Sequence, residues 1–240
     1  MAYLGRKTEL LPIMGKHAIL LRLQDRGWSK QWMRGWSGLV TTLGVRILAS
    51  VMVVCGLALF ITASNSKVCL FISVAAFIVV LIFNATVAVG LEGADQMATL
   101  VLFVNAIAVL APTLELLTDL FIMAQLMMSY GVAGIAKLIS PDWKTGRALG
   151  MIISTRSMGV GTASFFIQNP RVAKLMCSSI IAFELAWFAL PFSKHFAFAL
   201  MVGGVIFHFS NAWIMGLNLF PWAFLSAYPL ALNAIDRLHR

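Results

Sequence analysis

HFAFALMVGGVIFHFSNAWIMGLNLFPWAFLSAYPLALNAI, residues 195–235, runs for 41 residues without an Asp, Glu, Lys or Arg. As one helix it would be about 60 Å long, twice the roughly 30 Å of hydrocarbon in a bilayer. It must therefore turn back at least once, and Gly216, Pro221 and Pro229 mark a segment that is broken or re-entrant. The same silence recurs on the N-terminal side. Ile47–Ser66, Val68–Leu91, Gln96–Leu114 and Leu120–Ala136 carry no formal charge, and Leu175–Ser193 carries only Glu184. Of the 240 residues, 60% are hydrophobic and 11% charged, with a mean hydropathy of +0.90. A soluble domain has roughly 25% charged residues. So few polar residues cannot cover a water-facing surface, which excludes a disordered chain, a coiled coil and an ordinary soluble enzyme. Open strand edges do not survive in lipid, so the spanning elements are helices.

The fold expected is all-α: a polytopic transmembrane helix bundle of six to seven membrane helices, with an N-terminal amphipathic interfacial helix. The six run over about Leu39–Thr62, Val68–Gly90, Met97–Ala111, Leu114–Ile139, Arg171–Leu190 and Phe196–Asn211. Residues 92–95 read as an acidic turn, and residues 141–171 as one long polar connection. The domain division is a basic arm, residues 1–38, and a bundle, residues 39–240. No polar stretch is long enough to build a soluble core of its own.

The net charge of +9 is concentrated in that arm, where Arg6, Lys7, Lys16, Arg22, Arg26, Lys30 and Arg34 face only Glu9 and Asp25. Leu10, Leu11, Met14, Ala18 and Leu21 recur at helical spacing, and Trp28, Trp32 and Trp36 share one face. Such an arm reads as lying on anionic lipid head groups, with no nucleic acid as partner. The positive-inside rule puts the N-terminus and the 141–171 connection in the cytoplasm, four helices apart.

Ionisable groups are costly within a membrane and persist when paired, hydrated or functional. Arg46, Glu115, Asp119, Lys137, Glu184 and His208 are the six that qualify. Glu115 and Asp119, at i and i+4, either bind a cation or proton or stand hydrated in an exposed turn. Lys137 shares a helix face with Asp119 and Tyr130. It is either a general base in an apolar cavity or a lysine snorkelling from a helix end. Glu184, with nine uncharged residues on each side, has Arg46 or Lys137 as partner. His208, Asn211 and Asn218 fall on one stripe if their helix continues. No second His or Cys stands at ligand spacing, so no metal site is expected. Asn84-Ala-Thr86 matches a glycosylation acceptor but lies inside a helix.

Two stretches together resemble a known family. Tyr130-Gly-Val-Ala-Gly-Ile-Ala-Lys137-Leu-Ile-Ser-Pro-Asp142-Trp143-Lys-Thr-Gly146 is similar to the Y-x-x-A-G-x-x-K-L…D-W-x-x-G signature of the HTTM membrane domain. Phe207-His208-Phe-Ser-Asn211-Ala-Trp-Ile-Met-Gly216-Leu-Asn-Leu-Phe220-Pro-Trp222, followed by Tyr228-Pro229, resembles that family's later signature. The family includes the vitamin K-dependent gamma-carboxylase and bacterial relatives, and the resemblance covers roughly residues 90–230. It implies Lys137 as the base acting on a reduced quinone, with base-assisted, carboxylase-like chemistry. Tyr130, His208 and Asn211 would line the cavity, and Trp143 would stand at its mouth. Two features depart from the carboxylase: Glu92-Gly-Ala-Asp95-Gln96 has no histidine where that enzyme carries one, and its large soluble domain is missing. The expectation is therefore closer to bacterial relatives that assist peptide maturation with protein partners in the inner membrane. The competing expectation is a non-catalytic membrane subunit or scaffold within a larger complex.

Overall fold

A computed structural model describes residues 42–61, 66–87, 93–154 and 163–240; the basic arm with its tryptophan stripe lies outside them, as does Arg156. Every regular element among the described residues is helical. The chain divides into two compact units, Met1–Leu114 and Glu115–Arg240.

The first unit contains α1 (Thr42–Ile61), α2 (Ser66–Val87) and α3 (Gly93–Leu110), each packed on the next, and ends in a 3₁₀ turn at Pro112–Leu114. Gly93, Ala94 and Asp95, expected in an acidic turn, instead form the first turn of α3. Asp95 is favoured there because a helix N-terminus attracts negative charge. Two side-chain bonds join α2 to α3 inside the apolar contact. Asn84 donates to the Thr99 hydroxyl at 2.7 Å, and Asn105 to the buried Ser73 hydroxyl at 3.0 Å. Asn84 thus sits within a helix, bonded to its neighbour. Arg46 is exposed on α1.

The second unit is built on α4 (Glu115–Ile139). Pro141 ends it: a residue before proline is driven out of the α region, and Ser140 is extended at φ −75°, ψ 125°. Three short helices follow, α5 (Pro141–Thr145), α6 (Arg147–Ser154) and α7 (Ala163–Gln168). The connection expected to be a polar loop is therefore largely helical. The reason is a small core of its own, in which Ala148, Leu149, Ile153 and Phe166 pack on Ala173 and Cys177. Next come α8 (Pro170–Ala186), a 3₁₀ turn at Trp187–Phe192, α9 (Lys194–Met215) and α10 (Phe220–Leu238). The break expected after the sixth span falls at Gly216, which closes α9 at φ +72°, where glycine is favoured. Beyond it α10 is one helix: Pro221 sits in its first turn, where no N–H is needed, and Pro229 lies within it.

Among the described residues, four helical stretches are long and apolar enough to cross a membrane: Gly93–Leu110, Pro112–Ile139, Pro170–Phe192 and Lys194–Met215. Six were expected. Among the described residues, α1 and α2 contribute the shorter apolar stretches Arg46–Cys55 and Phe71–Asn84. The polarity of the second unit is inverted relative to a soluble protein. Asp119, Glu184 and His208 are buried at 1%, 3% and 2% exposure, while Trp213, Phe192 and Ile139 stand 86%, 77% and 70% exposed. Large apolar side chains outside and ionisable ones inside are stable where the surrounding solvent is hydrocarbon.

One end of this unit is closed by charge. Arg237 pairs with Glu115 at 2.9 Å, Lys194 with Asp236 at 2.5 Å and Arg240 with Asp236 at 2.6 Å, tying the end of α10 to the starts of α4 and α9. The hydrogen bond from Lys194, then that from Arg240, holds the exposed Asp236 carboxyl below its usual 3.8. A depressed carboxylate contributes its stability above the unfolded value and loses it as pH falls through the lower folded one. The last turn of α10 should therefore stay protected from hydrogen exchange down to about pH 4 and loosen below it. Asp236→Asn should show the loosened exchange at pH 7. Identical protection factors, with the intrinsic pH dependence of exchange divided out, at pH 3 and pH 6 in the parent chain contradict the tether.

Candidate functional site

The buried face of α4 carries the polar groups. Asp119, Ile122, Leu126, Tyr130 and Gly134 recur every three to four residues and are all buried. The shared face expected for Asp119, Tyr130 and Lys137 is thus the face turned to the other helices.

Near the end of α4, Gly134 lets α8 come close: a Cβ there would meet Leu185 N at 3.0 Å and Glu184 Cβ at 3.1 Å. Small residues permit such approach between helices in lipid. Glu184 then reaches Lys137, one turn along from Gly134. Both carboxylate oxygens lie 2.8 Å from Lys137 Nζ. Of the two partners weighed for Glu184, the structure pairs it with Lys137. The glutamate side chain is 4% exposed and the lysine 20%, so the ammonium borders the outside and the carboxylate does not. The turn forced by Pro141 brings Trp143 back against them, its ring centroid 5.1 Å from Lys137 Nζ. A cation over an indole face is attracted to it. Lys137 is neither alone in a cavity nor snorkelling free; it is held on two sides.

About two turns earlier along α4, Tyr130 Oη lies 2.6 Å from His208 Nε2 of α9 and 2.8 Å from Tyr228 Oη of α10. One hydrogen-bonded chain thus joins three helices. The Trp187 ring stacks on Tyr130 at 3.9 Å and 7°, and Phe183 and Phe224 meet Tyr130 edge-on. Gly204 makes room on α9: a Cβ there would meet Tyr228 Cζ at 3.1 Å and Trp187 Cζ2 at 3.2 Å. Two buried polar atoms here, His208 Nδ1 and Trp187 Nε1, have no protein partner. Tyr130 and His208 are therefore brought together, but packed between rings.

Asn211 is half-buried one turn beyond His208, and its carbonyl accepts from Leu217 N at 3.5 Å where α9 ends. Asn218 lies past that end in an exposed turn, so the stripe expected through His208, Asn211 and Asn218 stops at Met215. The Glu115–Asp119 pair is split: Glu115 is exposed and bound to Arg237, while Asp119 is buried with Oδ2 unpartnered, not hydrated in a turn.

Trp187 and Tyr228 belong to this centre; Trp187 was not picked out from the sequence, and Tyr228 was named only within the second signature, not as a site residue. Their signals were present: Trp187 stands three residues after Glu184, on its face. Tyr228 belongs to the run Phe224, Ala227, Tyr228, Ala231, Ala234, Ile235, spaced by threes and fours. Comparison of the chain with family models, with curated proteins and with solved structures finds no match.

Proposed function

We propose that this chain is an integral membrane component of a modification or maturation system that handles a lipid-soluble quinone or a peptide, with Lys137 as its base. The observation that carries the reading is the Lys137–Glu184 pair joining two helices long and apolar enough to cross a membrane, with its lysine side bordering the outside. Proton transfer along either 2.8 Å hydrogen bond turns ammonium and carboxylate into a neutral amine and a carboxylic acid. The amine then has a lone pair for an acidic hydroxyl, and Glu184 keeps the proton it was given. A quinone fits the donor set at the Lys137–Trp143 edge, where an amine and an indole face are reachable from hydrocarbon. When bound, a reduced quinone would supply the acidic hydroxyl. Tyr130 and His208 stand behind that edge as a packed aromatic wall, with Asn211 one turn further along α9. The resemblance of residues 130–146 and 207–229 to the two HTTM signatures supports the same reading.

The membrane arrangement proposed with it has α1 and α2 crossing as well, for six spans, with α10 as a seventh helical element. The basic arm lies on anionic head groups in the cytoplasm, in a bacterial inner membrane. The charge bias of residues 1–38 and of the 141–171 connection supports that orientation.

A second reading, a non-catalytic subunit in a larger complex, is favoured by one observation: both oxygens of Glu184 are satisfied and the Tyr130 chain ties three helices. That is how structural polar glue looks in lipid. Purification in mild detergent, with mass spectrometry of the organic extract, separates the two. The first reading expects a quinone or a modified peptide with the parent chain, lost from the charge-balanced Lys137→Met/Glu184→Gln variant. Partner subunits in fixed ratio, with neither molecule present, would leave the second.

A further inference from the structure

The cleft between α6, α7 and the start of α8 is used by neither cluster. Its volume is about 290 Å³, at the lower edge of ligand-pocket sizes. Gly146, Gly150, Met151, Phe166, Ile167 and Ala173 form most of its wall. The few polar lining groups are already engaged. The Thr145 hydroxyl donates to Pro141 O at 2.9 Å, and the Ser154 hydroxyl to Met151 O at 2.8 Å. The wall therefore leaves no free hydroxyl donor and is otherwise apolar, which suits an apolar chain.

The rim is cationic. Arg147 lines the cleft, is 66% exposed, and holds Asp142 by one nitrogen at 3.0 Å, leaving guanidinium donors to spare. Lys144, Arg171 and Lys174 each stand one residue from a lining residue and are exposed. None of these three has an ion-pair partner among the described residues. Four cations thus stand on or next to the lining, and the one carboxylate there, Asp142, is paired with Arg147. Gly146 packs so closely on Lys174 that a Cβ would meet its backbone N at 2.5 Å, which brings the turn carrying Lys144 and Arg147 to the level of the start of α8. That level lies at the start of the Pro170–Phe192 stretch, where a span meets the head groups.

We infer that this cleft seats one acyl chain of a negatively charged glycerophospholipid whose head group lies on Arg147 and the neighbouring Lys144, Arg171 and Lys174. The inference rests on the membrane setting and not on the chemistry assigned to Lys137. Charge complementarity selects the anionic head, and the apolar, internally satisfied wall selects the chain. A free anion would use the rim alone.

The test uses the full chain in mild detergent with phosphatidylglycerol and phosphatidylcholine of identical acyl chains, and retained lipid is read by native mass spectrometry. One phosphatidylglycerol per chain should be retained in preference to phosphatidylcholine. Arg147→Gln, at an exposed rim position, should lower its retention about fivefold, the worth of one basic residue at a charged bilayer surface. Ser154→Phe, which fills the cleft from its exposed edge, should lower retention of both lipids. Millimolar inorganic phosphate should displace neither. Equal retention of the two lipids overturns the inference, as does a preference that both substitutions leave unchanged. Displacement by phosphate alone overturns it too, because the site would then recognise an anion without its chain. An unchanged elution volume and circular dichroism spectrum show that each variant is folded, and Met151→Phe replaces Ser154→Phe if that variant is not.

Discussion

Replacing Lys137 with methionine should destabilise the second unit by about 3–5 kcal/mol, the usual consequence of stranding one member of a buried ion pair. The loss should be greater than that from Glu184→Gln. The asymmetry follows from exposure: the Glu184 side chain is 4% exposed and that of Lys137 20%. Without Lys137 the buried carboxylate loses the donor of both its hydrogen bonds. Without Glu184 the ammonium still has Trp143 beside it and can swing its flexible stem toward the head groups. The double variant Lys137→Met/Glu184→Gln should recover most of the loss, because neither charge is then left alone. Unfolding midpoints in mixed micelles, taken as a double-mutant cycle, measure the coupling. Additive single effects would mean that the pair contributes nothing of its own.

The same cycle separates stability from chemistry. If the pair is structural glue, the double variant regains both fold and whatever complex the parent chain forms. If Lys137 is a base, the double variant regains the fold alone. A chain that is folded and inactive is the signature of a lost proton acceptor, whereas an unfolded chain says nothing about one.

The spans were readable because hydropathy reports the solvent, and lipid tolerates few charges. The charge-free windows expected at Met97–Ala111 and Phe196–Asn211 recur as helices over Gly93–Leu110 and Lys194–Met215. The short helices α5, α6 and α7 were not readable. At five to eight residues, each is decided by what packs on it, here Cys177 and Ala173 of α8. Proline was read too simply at Pro221, since a helix lacks nothing when proline occupies its first turn, and α10 continues through Pro229 as well. The candidate site was legible one helix at a time. Periodicity put Asp119, Tyr130 and Lys137 on one face and narrowed Glu184 to two partners. It could not fix how α4 and α8 register, and that register is set by Gly134 against Leu185. Tyr228 and Trp187 were missed as site residues for the same reason: an aromatic at helical spacing reads as core until its neighbour across the interface is known.

That aromatic centre carries the second large effect. Trp187→Ala should cost about 3–5 kcal/mol, the range for deleting a large buried ring. The side chain is fully buried, stacked at 3.9 Å on Tyr130 and edge-on to Phe183 at 6.2 Å. Its removal would leave a void beside the Tyr228–Tyr130–His208 chain, so the hydrogen bonds joining α4, α9 and α10 would lose the surface that orients them. Trp187→Phe should cost much less. The indole Nε1 has no protein partner, so the change forfeits ring volume and no protein hydrogen bond. Thermal unfolding in detergent should therefore rank the parent first, Trp187→Phe a little below it and Trp187→Ala far below both. If Trp187→Phe proved as damaging as Trp187→Ala, the Nε1 hydrogen would have a partner that packing alone does not supply.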